Sequence, residues 1–154
     1  MLVGPLSTTG WWVGLRSTQI TKLLSISAVI LAVVVPVFAQ DDDQTSVCVQ
    51  AEKRYVEIFE TPSSEARDVV VIKMYKNNFC PNQITVPVGT TVRWVNVDKR
   101  TSHSVLAPAV GIAESDRAFP TERIEFTFLT PGPVNYMCGP HWETQGMMGV
   151  ISVE

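Results

Sequence analysis

A thiol, an imidazole and a thioether fall within ten residues of one another at Cys138, His141 and Met147, in the segment YMCGPHWETQGMMGVISV. Pro140 and the glycines at 139, 146 and 149 would let this segment fold back so that the three side chains converge. The chain has two histidines in all, and the second, His103, lies far upstream. A thiolate, two imidazoles and a weak axial thioether suit one copper ion in both oxidation states, Cu(I) and Cu(II). Thiolate donates strongly to Cu(II), thioether suits Cu(I), and imidazole tolerates either. A site that satisfies both states changes shape little when an electron moves, which keeps the barrier low. Zinc also takes Cys and His, but it seldom recruits Met, and a structural zinc site would want a fourth hard or thiolate ligand that this loop lacks. Taken singly, a buried Cys is most often a small core residue. The joint occurrence is what points to a metal.

The elements that must position these residues read as short strands. Val69 to Ile72 is a β-branched run that suits a buried strand. Ile84, Val86 and Val88 alternate and end at the turn signal Gly89-Thr90. Thr91 to Val97 alternates again, with Val92 and Trp94 on one face and Arg93 on the other. Ile124, Phe126 and Phe128 form a further alternating set, Val134 to Cys138 leads into the candidate loop, and Val150 to Val153 closes the chain. Residues 107–122 make a long connection with room for a short helix. Short strands separated by turns, with no helical period of useful length, predict an all-β sandwich. Pairing of the strand ends after Asn96 and before Cys138 would bring His103 to the same pole as the loop.

Ahead of these strands, Leu23 to Phe38 is an apolar run of sixteen residues preceded by only two charges, Arg16 and Lys22. With Val37-Phe38-Ala39 before Gln40, residues 1–39 read as a secretory signal peptide. The competing reading is an uncleaved membrane anchor, although the run falls short of the roughly 20 residues of a normal span. Residues 40–67 are polar and mixed and read as an N-terminal arm or first strand, and 68–154 as the folded domain. Either reading of the N-terminus puts the domain outside the cytoplasm, in the periplasm or its equivalent, free or membrane-anchored. Net charge is −3; with Arg16 and Lys22 set aside, 10 basic residues face 15 acidic ones, leaving about −5. There is no basic stripe for a nucleic acid.

From Phe79 to Val153 the chain resembles a cupredoxin, a type 1 blue copper protein of the plastocyanin, pseudoazurin and amicyanin group. Phe79-x-Pro81-x-x-Ile84-x-Val86-x-x-Gly89-x-Thr91-Val92-x-Trp94-x-Asn96 matches the group's opening strands. His103 falls at its first ligand position, and Cys138-x-Pro140-His141 matches the second and third. The resemblance implies a Greek-key β-sandwich with copper at one end and one-electron transfer as the activity. Met147 and Met148 compete for the axial place. The group's pattern Met-x-Gly-x-apolar-x-Val fits Met147, Gly149, Ile151 and Val153, and strand parity agrees, since Ile151 and Val153 share a face with Met147. Two departures stand out. Five residues separate His141 from Met147, one more than in the plastocyanin-like pattern and three more than in amicyanin. Ser104 stands where the group usually has an Asn whose hydrogen bonds tie the two ligand loops together. Electrons are expected to pass through the edge of His141, with Pro140 and Trp142 as an apolar rim.

If Cys138 is a ligand, Cys48 and Cys80 remain as an even pair in an oxidising compartment. A disulfide between them would pin the N-terminal arm to the strand at Ile84. The resemblance puts position 80 away from the metal end, so Cys80 is not expected as a ligand. Three functions compete: a monomeric electron carrier working with a redox partner such as a cytochrome or a membrane oxidase or reductase; a copper-delivery protein; and a small open-site copper enzyme. A complete Cys, two-His and Met set leaves no place for substrate. With both histidines committed there is no second copper centre and no Ser-His-Asp arrangement.

Overall fold

A computed structural model describes residues 42–154; the leader or anchor expected over 1–39 lies outside the described residues. Among the described residues, seven strands form two sheets. The first has the order β2-β1-β4-β5, built from Asn78–Cys80 (β2), Val70–Tyr75 (β1), Thr91–Asn96 (β4) and Arg123–Thr127 (β5). The second has the order β3-β7-β6, built from Gln83–Val86 (β3), Met148–Val153 (β7) and Gly132–Met137 (β6). Pairs β1–β4 and β3–β7 are parallel, and the remaining pairs are antiparallel. The two sheets form the expected β-sandwich.

Period-2 alternation works as expected where one face of a strand meets the core. Ile72, Met74, Val92, Trp94, Val134, Tyr136, Ile151 and Val153 all enter one buried cluster. The alternation through Ile84 and Val86 stops sooner than the sequence suggests. β3 ends at Val86, Pro87 follows, and Val88 stands 46% exposed. The long connection over 107–122 does hold a short 3₁₀ turn, at Pro108–Val110.

The segment read as an arm or first strand is neither: Asp42–Phe59 is an α-helix of 18 residues, α1. Val47, Ala51, Tyr55 and Ile58 are spaced at four, four and three, which puts them on one helical face. Val47, Ala51 and Tyr55 are buried with Val71, Val95, Val97 and Cys80 in a second cluster, with Ile58 packed against it. β1 is therefore covered on both sides, which is why the run Val69 to Ile72 is continuously apolar rather than alternating. A disulfide joins Cys48 of α1 to Cys80 of β2. Buried Lys73, on the α1 side of β1, is neutralised by Glu52 of α1, Nζ to Oε2 at 2.9 Å, and donates to Ser63 Oγ at 3.0 Å. No helix among the described residues is long and apolar enough to cross a membrane.

Candidate metal centre

Cys138 follows directly on β6, and the chain turns at once. Its carbonyl accepts from the backbone N–H of His141 at 3.0 Å and of Trp142 at 2.9 Å. A turn closed between residues three apart brings side chains 138 and 141 to one side. A single helical turn follows, Trp142–Gln145 (α2), and Gly146 ends it in the left-handed region at φ 65°. A Cβ disfavours that conformation, which is the reason for glycine there. The chain then returns: Met147 N–H donates to His141 carbonyl at 3.3 Å, and Cys138 N–H to Met147 carbonyl at 3.0 Å. The longer spacing between His141 and Met147 is thus taken up by α2.

His103 reaches the same end by a different route from the one expected. β4 and β6 lie in different sheets and do not pair. Instead the segment after β4 forms its own bridges. His103 pairs with Ala118 through backbone bonds of 3.1 and 2.8 Å, and Leu106 pairs with Met137 through bonds of 2.8 and 2.9 Å. The second bridge fastens this segment to the last residue of β6, one position before Cys138.

The result is a compact donor cluster. Cys138 Sγ lies 3.3 Å from His141 Nδ1 and 3.7 Å from His103 Nδ1. The three donor atoms all lie within 4.8 Å of one another. Two donors on one ion with bonds of about 2.0 to 2.3 Å are at most about 4.3 Å apart, so both sulfur–nitrogen separations fit a single ion. His103 and Cys138 are wholly buried, and His141 is half-buried at the end of the sandwich. Met147 is buried, with its backbone bonded to both Cys138 and His141, while Met148 is 52% exposed. Trp142 is 38% exposed beside them.

Electrostatics distinguish the two imidazoles. Burial alone would lower the His103 pKa, but hydrogen bonds to Asp98 and Cys138, together with their charges, hold it above the ordinary value. Burial lowers the pKa of His141, and the neighbouring His103 and Arg117 lower it further.

Two carboxylates not singled out in the sequence take part. Asp98 Oδ2 lies 2.7 Å from His103 Nε2. Glu114 Oε1 accepts from Ser104 Oγ at 2.8 Å, and Ser104 Oγ accepts in turn from Gly139 N–H at 3.1 Å. Ser104 therefore ties the two ligand loops together despite its short side chain, with Glu114 as a third member. A Cβ on residue 139 would overlap the Glu114 carboxylate, so glycine makes this approach possible. Neither acid has a sequence signal: Asp98 meets His103 through the shape of the turn they share, and Glu114 meets Ser104 through the way two segments face each other.

A β-sandwich with a cysteine sulfur and two imidazoles clustered at one end defines a soft-metal protein. The family model for the cupredoxin-like domain matches residues 23–150, and the chain belongs to that family, in its plastocyanin and amicyanin group. It is 37% identical over 97 residues to halocyanin from Natronomonas pharaonis, an alignment covering 56% of each chain. It is 34% identical over 85 residues to chloroplastic plastocyanin from Physcomitrium patens, covering 49% of each. The chain thus spans about half the length of the curated relatives it matches. Amicyanin from Paracoccus versutus superposes with a TM-score of 0.50 at 28% identity, over 60% of this chain and 88% of that one. A reduced tryptophan-to-tyrosine mutant of amicyanin gives 0.50 at 27%, over 60% and 89%. The donor set fits one copper ion.

Proposed function

We propose that this protein is an exported type 1 copper protein that carries single electrons between redox partners. One observation carries the reading: Cys138 Sγ and the Nδ1 atoms of His103 and His141 converge in one cluster, with Cys138 and His103 buried and His141 half-buried. These three residues would hold the ion, with Met147 as the weaker fourth ligand. Bound copper would supply one-electron exchange between Cu(II) and Cu(I).

The chain's own residues do the rest. The Leu106–Met137 bridge and the Ser104 link to Gly139 hold the ligand loops against each other through bonds that do not involve the ion. A donor set fixed in this way need not rearrange at each electron transfer. Burial of His103 and Cys138 keeps water away. His141, only half-buried, offers its edge to a partner such as a cytochrome or a membrane oxidase or reductase, with Pro140 and Trp142 as the rim. Four protein ligands leave no coordination position for a substrate, which favours a carrier over an enzyme. Export is supported by the character of residues 1–39 and by the Cys48–Cys80 disulfide, a bond that persists in oxidising compartments.

The test is a visible and electron-spin-resonance spectrum of the full chain after addition of Cu(II). The expected result is an intense thiolate-to-copper band that bleaches reversibly on reduction and is abolished in Cys138→Ser. A weak band, or a Cu(II) signal indifferent to Cys138, overturns the carrier and brings delivery or open-site chemistry forward.

A further inference from the structure

We propose that Asp98 is the positioning residue of the metal end: its carboxylate holds the Nε2 proton of His103, leaves Nδ1 as the ligating nitrogen, and lowers the reduction potential of the bound copper. The inference rests on the copper reading above but concerns a residue outside the four candidate ligands. A neutral imidazole has one N–H and one lone pair, and an ionised carboxylate can only accept. With Asp98 Oδ2 at 2.7 Å from Nε2, the proton belongs on Nε2 and the lone pair on Nδ1. Nδ1 is the nitrogen that faces Cys138 Sγ.

Each of the two partners is also held by bonds other than the one between them. The backbone N–H of Lys76 donates to the same Asp98 oxygen at 3.0 Å, and the N–H of Asp98 donates to Asn96 Oδ1 at 2.9 Å. Asn96 Nδ2 donates to the carbonyls of Thr101 at 2.7 Å and Ala118 at 2.9 Å, closing the turn between the acid and the histidine. His103 is held on its side by the backbone pair with Ala118. Asp98 is 9% exposed and His103 fully buried, so their interaction is screened little by solvent.

A carboxylate on the far nitrogen makes an imidazole a stronger donor. The more highly charged Cu(II) gains more from this than Cu(I), and it gains more from a nearby negative charge in a low-dielectric site. Asp98 therefore selects the nitrogen that binds and biases the ion toward its oxidised state. Removing such a partner costs roughly 10- to 100-fold in metal affinity.

The test compares full-length wild type with Asp98→Ala and Asp98→Asn, with and without copper. In the copper-free proteins, at a pH alkaline enough to keep the imidazole neutral, ¹⁵N shifts should show His103 protonated at Nε2 in wild type and tautomerically mixed in Asp98→Ala. In the loaded proteins, Asp98→Ala should lose Cu(II) affinity more than Cu(I) affinity, and the potential should rise by about 59 mV for each tenfold difference between the two losses. Asp98→Asn keeps an acceptor oxygen without the charge, so it should retain the tautomer and show part of the rise. A wild-type tautomer and potential in Asp98→Ala would overturn the proposal. Should that variant fail to fold, an unchanged potential in Asp98→Asn does the same. If wild type shows no Cys138-dependent band, the copper reading fails, and the copper-free tautomer still decides for or against the positioning role.

Discussion

Around Cys138 the fold gathers polar donors; around Cys48 and Cys80 it gathers apolar side chains and a covalent link. At the metal end His103, Ser104 and Asn96 are completely buried; His103 bonds to Asp98 and Ala118, Ser104 to Gly139 and Asn96 to Ala118. Beneath α1, Val47, Ala51, Tyr55, Val71, Val95 and Val97 close over Cys80. The first arrangement is costly to leave half-satisfied and so specifies one geometry. The second is non-directional and chiefly supplies stability. The cysteines differ in their surroundings: Cys138 lies against two imidazoles, whereas Cys48 and Cys80 are bonded to each other.

If the two regions are separate in this sense, they can be damaged separately. The largest effect is expected from Cys48→Ala/Cys80→Ala. Opening a link between residues 32 apart should cost about 3 to 4 kcal/mol in urea unfolding, while the copper spectrum stays unchanged. A spectrum that shifts with the disulfide would show that the two regions are coupled. Next comes Ser104→Ala, which leaves the Gly139 N–H and the Glu114 carboxylate without this partner. A loss of about 1 to 2 kcal/mol is expected, with faster hydrogen exchange at the Gly139 amide and unchanged exchange beneath α1. Equal acceleration in both regions would show that one cooperative network joins them.

The smallest effect sharpens the α1 side. Burial raises the Glu52 pKa, but hydrogen bonds from the Ser63 hydroxyl, Lys73 and the Ser63 backbone, with the Lys73 charge, outweigh it and leave the pKa below the ordinary value. A carboxylate depressed in the folded state adds stability above its unfolded pKa and loses it as pH falls through the folded one. Glu52→Gln should therefore be less stable than wild type near neutrality by under about 1 kcal/mol, since Glu52 is partly solvated. The gap should close as the medium is acidified below the glutamate range. A gap independent of pH would assign the contribution to packing instead.

The strands were legible because burying one face of a sheet leaves a period of two in the chain. Val92 and Trp94, or Ile151 and Val153, announce their side of the sandwich without any tertiary information. α1 was not legible in the same way. Its stripe of Val47, Ala51, Tyr55 and Ile58 is thin and interrupted by polar residues, and such a helix draws most of its stability from docking. The indirect signal lay in β1, where a continuously apolar run requires cover on both faces.

For the site, residue chemistry by itself determined the candidate donors: two histidines, an unpaired cysteine beside one of them, and a methionine on the buried parity of the closing strand. Their surroundings come from the packing of distant segments. Asp98 meets His103 because Asn96 shapes the turn between them, and Glu114 meets Ser104 because the His103–Ala118 and Ala107–Ile112 bridges fold one segment onto another. Periodicity and ligand type are written into neighbouring positions of the chain. Hydrogen bonds between separate loops depend on how sheets and connections pack, and local sequence does not carry that.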